Sequence, residues 1–251
     1  VAVCLVCSIL VSGAAVALKP AQQRNKELDR KQNILVAAGM LEPGERTGPQ
    51  GRGIEALFQE FETRVVDLRT GEFTDAVDPA TYEQQRAAKQ PSMSRNLTPA
   101  EDKATISRRE NYGLVYIMRD DAGDIAKLVI PIRGYGLWGT LYGYLALNGD
   151  METAAGLGFY QHQETPGLGG EVDNPDWKAD WPGTELYGEG GRPAVELVAD
   201  KAPEGSEARN HQIDKLSGAT LTSRGVENLV NFWLGELGYG PFLDNLREGK
   251  A

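Results

Sequence analysis

The sequence predicts an α+β protein, with an antiparallel sheet and flanking helices, behind a single N-terminal transmembrane helix. Three observations carry this prediction. The chain begins with a run free of charge, its middle holds four short runs dominated by Val, Ile and Tyr, and its C-terminal part carries one apolar stripe at helical spacing. No internal repeat is evident, so we expect an anchor at 1–19, a helical stalk and linker at 20–44, and one domain at 45–251.

The first eighteen residues carry no charge and are followed by Lys19-Pro20. As a helix they would span roughly 27 Å, about the thickness of the hydrocarbon core of a bilayer. A retained anchor is favoured, because the run is long for the apolar part of a signal peptide, but Ala15-Val16-Ala17 also resembles a signal-peptidase site. Both interpretations place the bulk of the chain outside the cytoplasm. The positive-inside rule opposes that orientation, because basic residues follow the span at Lys19, Arg24, Lys26, Arg30 and Lys31.

Composition narrows the function classes. A net charge of -10 over 251 residues argues against a nucleic-acid partner, because the phosphates would be repelled. The two cysteines, Cys4 and Cys7, both lie in the apolar run, so the rest of the chain has no disulfide framework. Their spacing would suit a metal or iron–sulfur centre, but no other ligand accompanies them, and ordinary apolar packing is favoured. With only His162 and His211 besides, we expect no metal site.

The pattern along the domain predicts the following elements. Helices are expected at 22–38, closed by Gly39, and at 54–63, 81–89 and 99–109. Strands are expected at 64–68, 112–118, 125–132, 141–147 and 194–198, with a hairpin turn at Asp120–Gly123. A last helix begins at Thr222 or Ser223 as N-cap and buries the stripe Val226, Leu229, Val230, Trp233, Leu234 and Leu237.

The loop before that last helix is the first candidate site. Residues 214–223 read Asp-Lys-Leu-Ser-Gly-Ala-Thr-Leu-Thr-Ser. Small hydroxyl residues and a glycine that run into a helix N-terminus form a natural anion site, because free N–H groups and the positive end of the helix dipole face the ligand. The alternative is a cap rich in Ser and Thr that binds nothing.

Two glycine clusters are further candidates. Residues 164–171 read Glu-Thr-Pro-Gly-Leu-Gly-Gly-Glu, a loop whose backbone can approach a ligand closely or which is only a turn. Residues 134–139 match G-x-G-x-x-G formally, but the alternating, aromatic residues after them predict a strand, which argues against a dinucleotide site. Trp138 would then stack on a flat ligand or pack in the core. The sequence contains no hydrolase motif.

Ser217-Gly218-Ala219-Thr220, with Asp214 before it and Leu-Thr-Ser after it, resembles the flavinylation motif of the FMN-binding-domain family. In that family a flavin transferase joins FMN through its phosphate to the threonine of the motif, which is Thr220 here. The G subunit of the Rnf electron-transport complex shares this motif. Lys215 is a departure, since a glycine commonly follows the motif Asp.

The rest of the chain is similar to the C subunit of the sodium-translocating NADH:quinone reductases. The resemblance rests on the uncharged N-terminal span, on Gly-Leu-Trp at 136–138, on residues 164–172, and on the tail from Phe232-Trp233-Leu234-Gly235 to Gly240-Pro241-Phe242-Leu243. This tail, with Trp233, speaks against the Rnf protein.

The resemblance implies an extracytoplasmic FMN-binding domain at 45–251, on the periplasmic side of a bacterial inner membrane. It implies an electron-transfer subunit of a six-subunit sodium-pumping NADH:ubiquinone oxidoreductase, relaying electrons between a membrane iron–sulfur centre and the FMN of a neighbouring subunit, with no catalytic acid or base in this chain. The implied partners are the other subunits, the membrane and the flavin transferase. The implied cofactor site has FMN as a phosphoester on Thr220, surrounded by Ser217, Gly218, Ala219, Asp214, Thr222, Glu164, Thr165, Leu168, Gly169, Leu137 and Trp138. The alternative class is a membrane-tethered binding or assembly module in which FMN is absent or merely structural.

Overall fold

The structure is a computed structural model that describes residues 2–250. Its helices are α1 (Ala2–Ala37), α2 (Ile54–Phe58), α3 (Gln84–Ala87), α4 (Pro175–Lys178), α5 (Glu207–Asn210), α6 (Thr220–Leu234) and α7 (Gly240–Arg247). Its strands are β1 (Phe61–Asp67), β2 (Glu72–Phe73), β3 (Ser94–Asn96), β4 (Arg108–Glu110), β5 (Tyr112–Arg119), β6 (Ile125–Tyr135), β7 (Thr140–Asn148), β8 (Ala154–Gln161), β9 (Glu196–Val198) and β10 (Gln212–Asp214). The predicted α+β class with an antiparallel sheet is confirmed.

A six-stranded antiparallel sheet in the order β2-β1-β5-β6-β7-β8 forms the centre of the domain. The predicted strands at 64–68, 112–118, 125–132 and 141–147 are all in it, and the turn at Asp120–Gly123 joins β5 to β6. In that turn the Asp120 side chain accepts hydrogen bonds from the N–H groups of Ala122 and Asp124 at 2.9 and 3.0 Å. Strand β8 was not predicted, because half of the residues in Ala154–Gln161 are Ala or Gly and the strand lacks the Val and Ile that mark the other strands.

The two faces of this sheet pack on different helices, because side chains alternate along each strand. One face, with Ile117, Ile130 and Leu145, packs against α6 and α7 in the larger core. The other face, with Tyr116, Val129 and Tyr144, packs against the end of α1 and against α2. The central strands are therefore buried on both sides.

Helix α1 joins the predicted anchor and stalk in one element, with Pro20 inside it. By length and composition it is able to cross a membrane. It ends at Ala37, and the predicted capping residue Gly39 follows with φ +68°; the N–H groups of Gly39 and Met40 donate to the carbonyls of Val36 and Leu35 at 3.0 and 2.9 Å. The last turn is buried against the sheet through Ile34, Leu35 and Ala37. The division of the chain at residues 19 and 44 stays a prediction.

Several predicted boundaries were wrong. The helix expected at 99–109 is absent from the described chain, because the Asp102 carboxylate binds the N–H groups of Ile106 and Ser107 at 2.7 and 2.8 Å and closes a turn instead. The helix expected at 54–63 stops at Phe58, where β1 soon follows, and the one at 81–89 is reduced to Gln84–Ala87. The strand expected at 194–198 forms only as Glu196–Val198, where it pairs in parallel with β10 outside the main sheet.

Helix α6 confirms the predicted stripe from Val226 to Leu234, all of it buried. It ends at Leu234, so Leu237 lies beyond it. The predicted N-cap was wrong: the cap is Ala219, and Thr222 and Ser223 lie inside the first turn. The sequence analysis did not predict α7, which packs Phe242 and Leu243 into the larger core.

Candidate functional site

Three segments meet at one edge of the main sheet, where β6 ends, β7 begins and β8 ends. The turn of residues 136–139 joins β6 to β7, where Tyr135 pairs with Thr140. The loop that begins at His162 leaves β8 at the same edge, since Gln161 pairs with Tyr142. The N-terminus of α6 packs over this edge, and a Cβ at Gly225 would lie only 2.5 Å from the carbonyl oxygen of Tyr135. The topology of the sheet therefore brings together the three clusters that the sequence indicated.

The loop before α6 is held by the helix that follows it. The Ser223 hydroxyl accepts a hydrogen bond from the N–H of Leu216 and donates one to the carbonyl of Ala219, both at 3.0 Å. Gly218, which lies between Leu216 and Ala219, has φ +69°, a conformation that glycine adopts without strain. Ser217, Gly218 and Thr220 are consequently exposed, while Ala219 is buried.

The first turn of α6 presents unpaired N–H groups. Ser223 is the first residue of this helix whose N–H donates a hydrogen bond to the cap residue. Its nitrogen lies 3.0 Å from the carbonyl oxygen of Ala219. The N–H groups of Thr220, Leu221 and Thr222 precede it, and such groups favour an anion at the helix N-terminus. The exposed hydroxyl of Thr220 lies at this same end.

The buried carboxylate of Glu164 links the three segments. Its Oε1 accepts hydrogen bonds from the N–H groups of Leu137 and Trp138, each at 3.0 Å. Its Oε2 accepts one from the Thr222 hydroxyl at 2.6 Å. Glu164 is only 5% exposed and Thr222 is fully buried. These two polar side chains therefore face the interior, and other residues form the exposed surface of the site.

Glycines make this close arrangement possible. A Cβ on Gly136 would lie 2.5 Å from Oε1 of Glu164, and a Cβ on Gly169 would lie 2.6 Å from Oε2 and 2.5 Å from the Thr222 hydroxyl. The loop itself is closed by the carbonyl of Thr165, which accepts from the N–H groups of Leu168 and Gly170 at 3.1 and 2.9 Å. No larger residue fits at either glycine without moving the carboxylate.

Exposed apolar side chains are concentrated on or next to the three segments that meet here. Outside α1, the large apolar side chains that are exposed in residues 2–250 all lie here, and we call them the apolar rim: Tyr135 (44% exposed), Leu137 (38%), Trp138 (61%), Leu168 (45%) and Leu221 (54%). Leu168 reaches the loop before α6, with its Cδ2 3.1 Å from the Cβ position of Gly218. Large apolar side chains gathered on one surface mark a binding site.

One predicted site residue lies to the side. The Asp214 carboxylate lies 3.7 Å from Lys201 Nζ, and this ion pair is its described side-chain contact. Its backbone is held at both ends, because its N–H donates to Asp180 Oδ2 at 2.8 Å and its carbonyl accepts from Trp177 Nε1 at 2.7 Å. Asp214 therefore shapes the approach to the loop of residues 215–219.

The sequence analysis missed Tyr135 and Leu221 of the apolar rim. Leu221 had a usable signal, since it precedes Val226 by five positions and is out of phase with the buried stripe. Two further roles were not predicted: Ser223 holds the loop before α6 through its hydroxyl, and Gly225 allows α6 to approach Tyr135 closely. Their roles depend on contacts that only the folded chain creates.

Known proteins resemble this chain in one domain and along nearly its whole length. The model of the FMN-binding domain matches residues 136–235, which include all three segments. The chain is 54% identical over 250 residues to the C subunit of the Na(+)-translocating NADH-quinone reductase of Pseudomonas aeruginosa, covering 99% of this chain and 94% of that protein. It is 46% identical over 249 residues to the corresponding protein of Yersinia pestis, covering 99% and 91%.

Solved structures show the same fold. The crystal structure of Shewanella oneidensis NqrC superposes with a TM-score of 0.78 at 33% identity, covering 89% of this chain and 99% of that one. The C subunit of the Na(+)-translocating NADH-quinone reductase from Parabacteroides distasonis superposes with a TM-score of 0.66 at 26% identity, covering 90% and 96%.

The fold and the matched segment define an FMN-binding-domain protein with an apolar N-terminal helix. Identity along nearly the full length of both chains shows more: this chain belongs to the family of the C subunits of Na(+)-translocating NADH-quinone reductases. The resemblance stated from the sequence motifs is thereby confirmed.

Proposed function

We propose that this chain is an electron-transfer subunit that carries FMN as a phosphoester on Thr220. The observation that carries the proposal is the position of Thr220: it is an exposed residue at the N-terminus of α6, in the region whose three segments carry the apolar rim. The family and the matched FMN-binding domain support the cofactor, and the geometry supports the attachment point.

The residues present fit this group. The unpaired N–H groups at the start of α6 suit the single negative charge of a phosphodiester, and the helix dipole favours it there. The apolar rim suits a flat, largely apolar ring system, with Trp138 and Tyr135 as aromatic surfaces and Leu168 as a further apolar contact. Thr222 is no competing attachment point, because its hydroxyl is buried and donates to Glu164.

When bound, FMN supplies the redox chemistry, and the protein binds and orients it. The side chains of the apolar rim would cover the ring and exclude water from one face. The loop locked by Ser223 would hold the attachment point in place. We assign no general acid or base, because electron transfer requires proximity rather than a proton-shuttling side chain.

The place of this subunit in its complex is part of the same proposal. The names of the relatives indicate a multi-subunit, sodium-translocating NADH–quinone reductase, and α1 is long and apolar enough to anchor the chain in the inner membrane. We propose that the domain lies on the periplasmic side, receives FMN from a flavin transferase, and relays electrons between a membrane iron–sulfur centre and the FMN of a neighbouring subunit. Sodium pumping and NADH oxidation belong to the six-subunit assembly.

The experiment is a peptide map of the full chain expressed with a flavin transferase. FMN less one water adds about 438 Da, and we expect that gain on the peptide that contains Thr220. Thr220→Ala should lose the adduct, and Thr222→Ala should retain it. An unmodified chain, from native membranes as well, would favour the tethered binding module and contradict the electron-carrying role.

A further inference from the structure

We propose that Glu164 is a positioning residue that assembles the FMN-receiving cleft, the region where residues 136–139, the loop from residue 162 and the first turn of α6 meet, before any cofactor is attached. The inference rests on the proposed function, since it concerns the same cleft. It adds that hydrogen bonds to one buried carboxylate form the cleft before FMN is attached. The exposed surface consists of the apolar rim, so the role assigned to Glu164 is to hold the protein segments together.

The first support is that the hydrogen bonds of Glu164 join segments that are far apart in the sequence. The three donors, Leu137 N, Trp138 N and Thr222 Oγ1, come from segments 27, 26 and 58 residues away in the sequence. An ionised carboxylate accepts hydrogen bonds only, so three donors aimed at its two oxygens match its chemistry. Burial of an ionised group is costly unless it is paired or fully hydrogen-bonded, and here the bonds serve that purpose.

The second support is what these bonds hold. Leu137 and Trp138 sit in a tight turn, closed by the Gly136 N–H and the Gly139 carbonyl at 2.8 Å, and their side chains are turned outward. Few buried apolar contacts anchor such a turn, so its backbone would open readily on its own. Glu164 fixes the backbone of the two residues whose side chains form this part of the apolar rim.

The third support comes from the other oxygen. By binding the Thr222 hydroxyl, Glu164 fastens the first turn of α6 to the same point as the turn of residues 136–139. This leaves Thr220 as the threonine whose hydroxyl is exposed at the helix N-terminus. Gly136 and Gly169 approach the carboxylate so closely that a Cβ at either position would lie 2.5 or 2.6 Å from one of its oxygens.

Two substitutions separate hydrogen bonding from charge. In Glu164→Gln the amide oxygen can accept from both N–H groups while the amide NH2 donates to Thr222, whose hydroxyl accepts as well as donates. The arrangement is then kept without the charge. Glu164→Ala removes the acceptors and with them the hydrogen-bonded link between the turn and α6.

Amide hydrogen exchange on the full, detergent-solubilised chain, expressed without flavin transferase, tests the inference. In the wild type we expect the Leu137 and Trp138 amides to be protected although their side chains are exposed. Glu164→Ala should reduce that protection by about 10- to 100-fold, the range expected when a hydrogen bond to a charged group is lost, and Glu164→Gln should restore most of it. Equal exchange in Glu164→Ala and the wild type would overturn the inference.

A control covers the case in which Glu164→Ala does not fold. The core amides of Leu145 and Leu147, both fully buried, report global unfolding. If they too lose protection, Glu164→Gln decides: core and turn both protected supports the inference, and a turn that alone exchanges freely overturns it.

Flavinylation gives the second readout. Coexpressed with flavin transferase, Glu164→Gln should carry the adduct on Thr220 to nearly the wild-type extent, and Glu164→Ala several-fold less. Full loading of Glu164→Ala would overturn the positioning role even if exchange changes. If the wild type carries no adduct, the proposed function fails, while the exchange experiment still tests whether Glu164 builds the cleft.

Discussion

The Thr222 hydroxyl donates a 2.6 Å hydrogen bond to Oε2 of Glu164, and this one contact divides the two threonines of the loop into different roles. Thr222 is fully buried and belongs to the framework, whereas Thr220, two residues earlier, is exposed. Short motifs do not distinguish such neighbours. The fold does, because the first turn of α6 directs one side chain inward and the other outward.

Thr222→Val should therefore destabilise the protein and keep the adduct. The substitution preserves shape but removes a hydrogen bond to a buried carboxylate, at a cost of about 1.5–3 kcal/mol. Chemical denaturation of the flavin-free chain measures the cost, and the peptide map measures the adduct. The matched control is Thr220→Val, which should change stability by no more than about 0.5 kcal/mol because the side chain is exposed. It should lose the adduct. The reverse pattern would assign the two threonines to each other's roles.

Gly169→Ala should disrupt the cleft. Its Cβ would lie 2.5 Å from the Thr222 hydroxyl and 2.6 Å from Oε2 of Glu164, both held in place by their hydrogen bond. Overpacking of this kind costs about 1–3 kcal/mol, measured by denaturation, and should lower flavin loading as well. Gly139→Ala is the control in the same cleft, because its nearest neighbour is the flexible side chain of Gln163 at 3.1 Å. Equal effects at the two glycines would argue against a rigid carboxylate.

Trp138→Ala should affect the flavin more than the fold. Trp138 is 61% exposed, so its removal should change the free energy of unfolding by no more than about 0.5 kcal/mol. It should uncover one side of the ring, and the flavin fluorescence of the loaded protein should become more accessible to iodide. A wild-type quenching constant in the variant would show that Trp138 does not cover the flavin. Trp181, which is fully buried, serves as the contrasting case, because Trp181→Ala should destabilise the fold.

Acid should weaken the domain through carboxylates held in turns. The N–H of Thr98 and the side chains of Arg95 and Thr98 bind Glu101 and lower its pKa from 4.5 to about 2. Because the folded pKa is depressed, the contribution of Glu101 is complete above pH 4.5 and is lost as the pH falls toward 2. Denaturation midpoints measured across this window should fall less steeply in Glu101→Gln than in the wild type. An unchanged slope would remove Glu101 from the acid response.

Much of the fold could be predicted from local pattern. The strands rich in Val, Ile and Tyr and the stripe of α6 were found because their periodicity reflects burial directly. β8 was missed because Gly156 and its small neighbours permit a close approach: a Cβ there would lie 2.5 Å from the Ala37 carbonyl. The helix expected at 99–109 failed because the Asp102 side chain competes for the backbone N–H groups.

The candidate site was predictable in its parts but not as a unit. The three clusters carried glycines and hydroxyls that indicated a ligand, and the resemblance supplied its identity. Their meeting at Glu164 depends on the sheet placing the β6–β7 turn beside the end of β8, a relationship that no local spacing contains. The apolar rim was equally hidden, because exposure of an apolar side chain is a property of the folded surface.

The central claim is that Thr220 carries FMN, and the most direct test is the mass of its peptide from the full chain coexpressed with a flavin transferase. We predict a gain of about 438 Da confined to the peptide with Thr220, absent in Thr220→Val and present in Thr222→Val. An adduct on another residue, or a chain that stays unmodified with an active transferase and in native membranes, would contradict the account.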